Sequence, residues 1–197
     1  MTYPRSWLGA GLAVVVIVAS GVALYDVALS TPNDTPRGGP IELASTQGDF
    51  SLTQLSDDQI AIVSFGYTFC PDVCPMTQAV KRQALATLSP SQRERVVPVM
   101  VTVDPERDTL ERLEHYLAFF GEAFIGATGN QAALDDVMSR YDVIRQRVET
   151  PDSAIDYTIN HSSSLYLVDR DGKILQRVLY SPTPQGLNAA LENELSR

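Results

Sequence analysis

The apolar residues of this chain fall into short blocks whose spacing predicts alternating strands and helices. Two β-hairpins are predicted, because paired apolar segments flank polar turns that contain Gly and Asp. Their strands are residues 41–44 with 50–53 and residues 163–168 with 174–179. Residues 60–65 and 96–103 are continuous apolar runs, which are typical of strands buried on both faces of a sheet.

Helical periodicity occupies the segments between these strands. The predicted helices run from Met76 to about Leu88, from a cap at Asp108 (with Glu111 three residues on) through Phe120, from Asn130 to about Tyr141, and onward from Pro184. Two apolar stripes are expected to face the core, and they consist of Met76, Val80, Ala84 and Leu88, and of Leu110, Leu113, Leu117 and Phe120. This order of elements predicts an α/β three-layer sandwich around a mixed sheet, which a thioredoxin-like fold with an N-terminal hairpin fits.

The amino-terminal segment is more apolar than the rest of the chain. The 20 positions from Ser6 to Tyr25 carry no charged residue, and a helix of that length spans ~30 Å, enough to cross a membrane. We therefore expect residues 1–29 to be a cytoplasmic N-terminus and one transmembrane anchor. A cleaved signal peptide is the alternative, because residues 28–30 loosely resemble a processing site.

The predicted anchor also indicates a compartment. Arg5 precedes the apolar run, so the positive-inside rule places the remainder of the chain outside the cytoplasm. No long leader rich in Arg and Ser precedes the run, which favours the bacterial inner membrane over mitochondrial import. We expect a single-pass protein whose C-terminal domain lies in the periplasm.

A linker and one domain are predicted after the anchor. Residues 30–40 contain three prolines and two glycines without an apolar pattern, so they are predicted to be an extended linker. Residues 41–197 are long enough to form one domain with one core. Arg5 and Asp26 are the only charged residues before residue 30, so the formal charge of -9 belongs to the part beyond the anchor. Such an acidic surface argues against nucleic acid as a partner.

The chain has only two cysteines, Cys70 and Cys74, and they lie in the run Cys-Pro-Asp-Val-Cys-Pro between a buried strand and a helix. Because a helical turn takes 3.6 residues, side chains four positions apart project from nearly the same side, where two sulfurs can meet each other or one metal. The start of a helix stabilises a thiolate, whereas the carboxylate of Asp72 opposes it. A structural disulfide is the alternative in an oxidising compartment, although so short a loop would add little stability.

His161 is the candidate for a third ligand. In a thioredoxin-like sheet the loop before the last hairpin lies beside the cysteine segment, and thioredoxins carry a proline there, which residues 160–164 lack. A surface-loop histidine is the alternative. Two thiolates and one imidazole suit Cu(I) and can hold Cu(II) when an oxygen ligand is added, whereas a structural zinc site needs four ligands. We interpret His115 as a solvated helix residue and Met76 as a core residue rather than a thioether ligand.

Three segments carry a resemblance to a known family. They are Phe-Gly-Tyr-Thr-Phe-Cys-Pro-Asp-Val-Cys-Pro at 65–75, Val-Thr-Val-Asp-Pro-Glu-Arg-Asp-Thr at 101–109 and His-Ser-Ser-Ser-Leu-Tyr-Leu-Val-Asp at 161–169. With these segments in this order, residues 41–197 resemble the Sco family, also called SenC, of membrane-anchored copper-handling factors for cytochrome c oxidase assembly. The resemblance implies a copper site whose ligands are Cys70, Cys74 and His161.

The resemblance also implies roles for two further positions. Asp104 is expected to lie near the site, where it would orient groups and hold a turn. Many relatives carry an acidic residue directly before the histidine, whereas this chain has Asn160. We therefore expect no carboxylate from position 160 to support the histidine.

The function implied is that of a membrane-anchored copper metallochaperone. It would deliver copper, as Cu(I) or Cu(II), to the binuclear copper centre of cytochrome c oxidase subunit II, and its other expected partners are a periplasmic copper chaperone or thiol reductase. The alternative function is a thiol-disulfide oxidoreductase, with Cys70 and Cys74 as its catalytic residues, that reduces the copper-site cysteines of the subunit. A peroxiredoxin-type peroxidase is a third hypothesis, which requires an arginine such as Arg82 or Arg107 near Cys70.

Overall fold

The computed structural model describes residues 37–151 and 156–196. The predicted anchor, its processing site and most of the predicted linker lie outside these residues. Among the helices of the described part, none has the length and apolar character needed to cross a membrane. Residues 38 and 39, the only glycines of the predicted linker, are tied to the domain, because Gly38 N donates to Arg140 O at 3.0 Å and Gly39 N donates to Gly172 O at 2.8 Å.

The described residues form strands and helices in the following order. The strands are β1 (Glu42–Ser45), β2 (Gly48–Ser51), β3 (Ile60–Gly66), β4 (Val96–Thr102), β5 (Ile125–Thr128), β6 (Arg145–Glu149), β7 (Tyr157–His161), β8 (Leu165–Val168) and β9 (Ile174–Val178). The helices are α1 (Val73–Thr87), α2 (Pro90–Arg93), α3 (Leu110–Ala118), α4 (Gln131–Arg140) and α5 (Gln185–Leu195), with a 3-10 turn at Leu52–Gln54.

Seven strands form one mixed sheet in the order β2-β1-β5-β4-β3-β8-β9. Strands β3, β4 and β5 are parallel to one another, and the flanking pairs are antiparallel. Strands β6 and β7 form a separate antiparallel pair. Helix α1 and its neighbours cover one face of β3 and β4, and α4 with β7 covers the other, so both strands are apolar throughout most of their length.

Two hydrophobic clusters lie on opposite faces of the sheet. Alternate residues of β3 point to opposite sides, so Ile60 and Ile62 join α1, α3 and α5, whereas Val63 and Phe65 join α4 and β7. The predicted three-layer α/β sandwich with an N-terminal hairpin is confirmed. The second hairpin, the helix capped by Asn130 and the helix after Pro184 are confirmed as well.

The first helix differs from its prediction. It begins at Val73, three residues before the predicted start, so Cys74 lies in its first turn. Met76 is 38% exposed, and the prediction that it packs in the core is wrong. The buried face instead includes three polar residues, Thr77, Gln78 and Lys81. An apolar stripe read from the sequence is displaced when long polar side chains occupy the buried face.

The second predicted helix has its N-cap one residue later than predicted. Thr109 is the N-cap, and its side chain accepts from Arg112 N, so the prediction of Asp108 as the cap is wrong. Asp108 is buried and binds Thr68 and Thr102 instead. Leu110 is 39% exposed, so it does not belong to the buried stripe. A buried tertiary partner has outcompeted the local capping pattern.

Three strands were not predicted. Strand β5 has only four residues, and the exposed strand β6 has the sequence Arg-Gln-Arg-Val-Glu, in which apolar residues do not alternate. Strand β7 pairs with β6 and ends at His161. The pairing of β6 with β7 thus makes the candidate ligand His161 a strand residue rather than the loop residue that was expected.

Candidate metal centre

The three candidate ligands lie together at one end of the sheet. Cys70 lies in the loop between β3 and α1, Cys74 lies in the first turn of α1, and His161 ends β7. The Cys74 sulfur lies 3.4 Å from His161 Nε2, and Cys74 N lies 3.5 Å from the Cys70 sulfur, to which it donates. Both thiols are free, so no structural disulfide joins them. The role of these residues as copper ligands stays a prediction.

The histidine ring presents an available nitrogen to the sulfurs. His161 Nδ1 lies 2.9 Å from the carbonyl oxygen of Ser162. A carbonyl can only accept, so we infer that Nδ1 carries a hydrogen, and the other ring nitrogen, Nε2, faces the Cys74 sulfur. A hydrogen bond of this kind on the second ring nitrogen is what fixes the orientation of a metal-binding imidazole.

The two thiols share one proton unequally. The hydrogen bond from the Cys74 thiol lowers the pKa of Cys70 to about 3, and His161 and the backbone amides of Asp72 and Cys74 act in the same direction against burial. The same hydrogen bond, burial and the adjacent thiolate raise the pKa of Cys74. Cys70 is therefore the thiolate of the pair, and Cys74 keeps the proton. The favourable contacts at the helix start outweigh the opposing carboxylate of Asp72.

The close approach of α1 to β3 depends on Gly66. A Cβ atom at this position would lie 3.0 Å from the Cys74 sulfur and 3.4 Å from the Met100 methyl group. Only a residue without a side chain lets Cys74, which is 2% exposed, pack directly on the strand. Gly66 thus sets the depth at which the buried thiol lies.

The loop that leads to Cys70 is held by a buried carboxylate. Asp108 accepts from Thr68 Oγ1 at 2.6 Å, from Thr68 N at 3.1 Å and from Thr102 Oγ1 at 2.7 Å. Burial raises the pKa of Asp108, and the Thr68 and Thr102 hydrogen bonds oppose this effect. Sequence reasoning missed this residue because Asp108 matched a helix-capping pattern, and the adjacent Thr109 was the better cap.

Asp104 holds the strand that carries His161. It is fully buried and accepts from Tyr157 Oη at 2.8 Å and from Arg107 Nε at 2.5 Å. Arg107 also donates to the backbone carbonyl of Tyr157 at 3.0 Å, and its guanidinium lies 3.5 Å from the centre of the Tyr157 ring. Asp104 therefore orients the start of β7, in agreement with the role expected from the resemblance.

Comparison with known proteins identifies the family. The SCO1/SenC family model matches residues 30–196. The chain belongs to the SCO1/SenC family. The SCO2-like protein of Rickettsia conorii is 34% identical over 157 residues, which cover 80% of this chain and 76% of that protein.

Several solved structures of similar Sco proteins contain copper. ScoI of Bradyrhizobium japonicum with copper bound is 33% identical, with a TM-score of 0.70, and the match covers 80% of this chain and 99% of that chain. ScoI of Arabidopsis thaliana with copper bound is 29% identical, with a TM-score of 0.71, and the match covers 81% and 98%. The resemblance of the three sequence segments and the thioredoxin-like mixed α/β fold are confirmed.

The other candidate residues of this Sco chain lie apart from the sulfurs or contact other groups. His115 is exposed on α3, which confirms its interpretation as a solvated residue, and Asn160 is exposed on β7. Arg82 is exposed on α1. Arg107, the arginine that the peroxidase hypothesis requires, is engaged by Asp104 and Tyr157. No described contact pairs Arg107 with the Cys70 thiolate.

The site opens to solvent through a groove of about 360 Å³. Its walls come from the loop at Cys70 and Pro71 and from β7, including Asn160 and His161. Within residues 37–151 and 156–196, no three His, Cys, Asp or Glu side chains are already grouped as a metal site. Cys70 and His161 line the groove and are therefore accessible from solvent, whereas Cys74 lies buried behind them.

Proposed function

We propose that this Sco protein is a copper metallochaperone that binds copper through Cys70, Cys74 and His161. It delivers the copper to the binuclear copper centre of cytochrome c oxidase subunit II. The observation that carries the proposal is the 3.4 Å separation between Cys74 Sγ and His161 Nε2 beside the Cys70 thiolate. Two sulfurs and one imidazole are soft donors that suit Cu(I), and an added oxygen ligand accommodates Cu(II).

The protonation of the site supports copper loading. Metal ligands must be deprotonated, and Cys70 already is a thiolate. His161 directs Nε2 toward the Cys74 sulfur, and Cys74 keeps its proton, so copper must displace that proton. The open groove lets an acceptor protein reach the metal, and Cys70 is the more exposed of the two sulfur ligands.

A membrane anchor in residues 1–29 is part of the proposal. It would hold the domain on the periplasmic side of the bacterial inner membrane. Alkaline washing of membranes tests the anchor. We expect the full chain to stay in the membrane fraction, and its complete release would contradict the proposed anchor.

The low pKa of Cys70 favours one rival, a thiol-disulfide oxidoreductase. In that reaction the Cys70 thiolate attacks a disulfide of subunit II, forms a mixed disulfide and releases one subunit thiolate. Cys74 then passes its proton to the released subunit thiolate and attacks Cys70, which frees the second subunit thiolate and leaves a Cys70–Cys74 disulfide. Two electrons pass to the subunit, and a periplasmic thiol reductase must restore the pair. His161 has no required part in these steps.

Copper transfer in vitro separates the two functions. The full chain, purified in detergent and reduced, is loaded with Cu(I) under anaerobic conditions and mixed with the copper-free soluble domain of subunit II, either reduced or oxidised. His161→Ala is the test variant, and His115→Ala is its control, because His115 is exposed on α3. We expect the wild type and His115→Ala to transfer copper to the reduced domain and His161→Ala to fail. Reduction of the oxidised domain by all three proteins, without copper transfer by any, would favour the oxidoreductase.

A further inference from the structure

Tyr67 is a buried residue that contacts both sides of the proposed copper site. It follows β3 and is 3% exposed. Its backbone carbonyl accepts the N–H of Cys70 at 3.3 Å, and its phenol oxygen accepts the N–H of Ile159 at 3.2 Å. The phenol ring stands edge-on to the His161 imidazole, with ring centres 5.9 Å apart and planes at 81°. One residue thus joins the cysteine loop to the strand of the histidine.

Strand β7 needs such a contact because it lies outside the main sheet. Its ladder partner is β6, with Ile159 opposite Arg147 and His161 opposite Arg145. In an antiparallel ladder, alternate residues direct their N–H and C=O groups toward the partner strand or away from it. Ser162 N donates to the β6 side, at Ile144 O, whereas Ile159 N points to the Tyr67 phenol. The position of His161 relative to the sulfurs therefore depends on what fixes the free edge of β7.

We propose that Tyr67 is a positioning residue that holds His161 where its imidazole can share a copper ion with Cys70 and Cys74. The inference rests on the proposed copper function. Asp104 and Arg107 fix β7 at Tyr157, four residues before the ligand. Tyr67 fixes the strand at Ile159, two residues before it, and restrains the ring itself.

Matched tyrosine variants isolate this role. Tyr67→Phe keeps the ring but leaves the N–H of Ile159, a residue 4% exposed, without its acceptor. Since one neutral hydrogen bond contributes modestly, we expect Cu(I) binding to weaken roughly 2- to 10-fold. Tyr166→Phe is the control, because the buried Tyr166 hydroxyl has no hydrogen-bond partner among the described residues. We expect wild-type affinity for this control.

A double-mutant cycle shows whether Tyr67 acts through His161. Cu(I) affinities of the full chain in detergent are measured against a competing chelator for the wild type, Tyr67→Phe, His161→Ala and the double variant. We expect Tyr67→Phe to weaken binding in the wild-type background and to have no further effect once His161 is absent. The same loss in both backgrounds, or no loss in either, would overturn the proposal.

A measurement without copper tests the positioning itself. Amide hydrogen exchange at Ile159 and the ring nitrogen signals of His161 are recorded by NMR on the reduced, copper-free protein. We expect faster exchange and shifted ring signals in Tyr67→Phe but not in Tyr166→Phe; unchanged signals in Tyr67→Phe would overturn the role of Tyr67. A copper affinity that is the same in the wild type and in His161→Ala would instead contradict the proposed function. Failure of the positioning role and failure of the copper function are therefore distinguishable.

Discussion

Two residues on the buried face of α1, Cys74 and Lys81, lie in different surroundings. Cys74, in the first turn, packs over Gly66 and faces His161 beside an open groove. Lys81, two turns later, is fully buried, and its amine donates to Ser64 Oγ at 2.6 Å and to Val99 O at 2.8 Å. The first group lies among donors and acceptors that can change protonation, whereas the hydrogen-bond acceptors of the second are neutral.

This difference separates binding from stability within one helix. Burial lowers the pKa of Lys81 well below its usual value, so this amine binds its proton less tightly in the folded state than in the unfolded chain. At the thiol site folding favours the charged form instead, because the Cys70 thiolate is stabilised by Cys74 and His161. Changes at the thiol site should therefore alter copper binding, and changes at Lys81 should alter stability.

The largest expected effect is on copper binding when Cys74 is replaced. Cys74→Ser removes one of three proposed ligands, so we expect Cu(I) affinity to fall more than roughly 100-fold. The free energy of unfolding should change by about 1 kcal/mol or less. Chelator competition and urea unfolding of the reduced protein measure the two quantities. Lys81→Met is the matched control on the same helix face, and its copper affinity should equal that of the wild type. A loss below tenfold in Cys74→Ser would contradict the assignment of this ligand.

The second effect is a pH dependence of stability that originates at Lys81. Its folded pKa is lowered, so between that value and the unfolded pKa near 10 the unfolded state binds one more proton. The contribution of Lys81 to the free energy of unfolding therefore rises by about 1.4 kcal/mol for each pH unit in this range. Urea unfolding at a series of pH values below about 10 should show this additional slope, down to the folded pKa of Lys81, in the wild type and not in Lys81→Met. Equal slopes for the two proteins would show that Lys81 is charged in the folded state.

A smaller effect is expected at Gly66 of β3, against which Cys74 packs. Gly66→Ala would place a Cβ atom 3.0 Å from the Cys74 sulfur, so the thiol must shift away from its present position. We expect a roughly tenfold loss of Cu(I) affinity from this overpacking. Gly186→Ala on α5 is the control, because the new Cβ atom would lie 3.6 Å from its nearest neighbour, Val178 Cγ1, which is an ordinary contact. Equal affinities for both variants would show that the depth of Cys74 does not matter.

The smallest effect is expected at Met76. Its side chain is 38% exposed and neither packs in the core nor belongs to the proposed ligand set. Met76→Leu should therefore leave Cu(I) affinity within about twofold and the unfolding free energy within about 0.5 kcal/mol. Chelator competition and urea unfolding measure both. A tenfold loss of affinity would instead identify the Met76 thioether as a copper ligand.

The sequence was sufficient for the parts of the fold that burial dictates. Strands β3 and β4 are covered on both faces, so each had to be apolar along most of its length, and that pattern was visible. The spacing of Cys70 and Cys74 likewise predicted a thiol pair at the start of a helix. Both signals, the apolar runs and the cysteine spacing, are visible in the sequence because each involves residues that are close together in the chain.

Long-range contacts explain what the sequence did not reveal. Strand β7 is fixed by Asp104 and Tyr67, whose partners lie 53 and 92 residues away in the chain, so no local pattern indicated it. Asp108 was wrongly predicted to be a helix cap, and the burial of Lys81 was not predicted, for another reason. Charged residues are expected at the surface or at helix caps, whereas tertiary hydrogen bonds hold both of these in the interior.

X-ray absorption at the copper edge of the Cu(I)-loaded protein tests the central claim most directly, because it counts the donor atoms around the metal. The account predicts two sulfur ligands and one nitrogen ligand in the wild type, with the nitrogen lost in His161→Ala and retained in His115→Ala. A wild-type spectrum that shows only sulfur, or a nitrogen ligand that persists in His161→Ala, would contradict a copper site made of Cys70, Cys74 and His161.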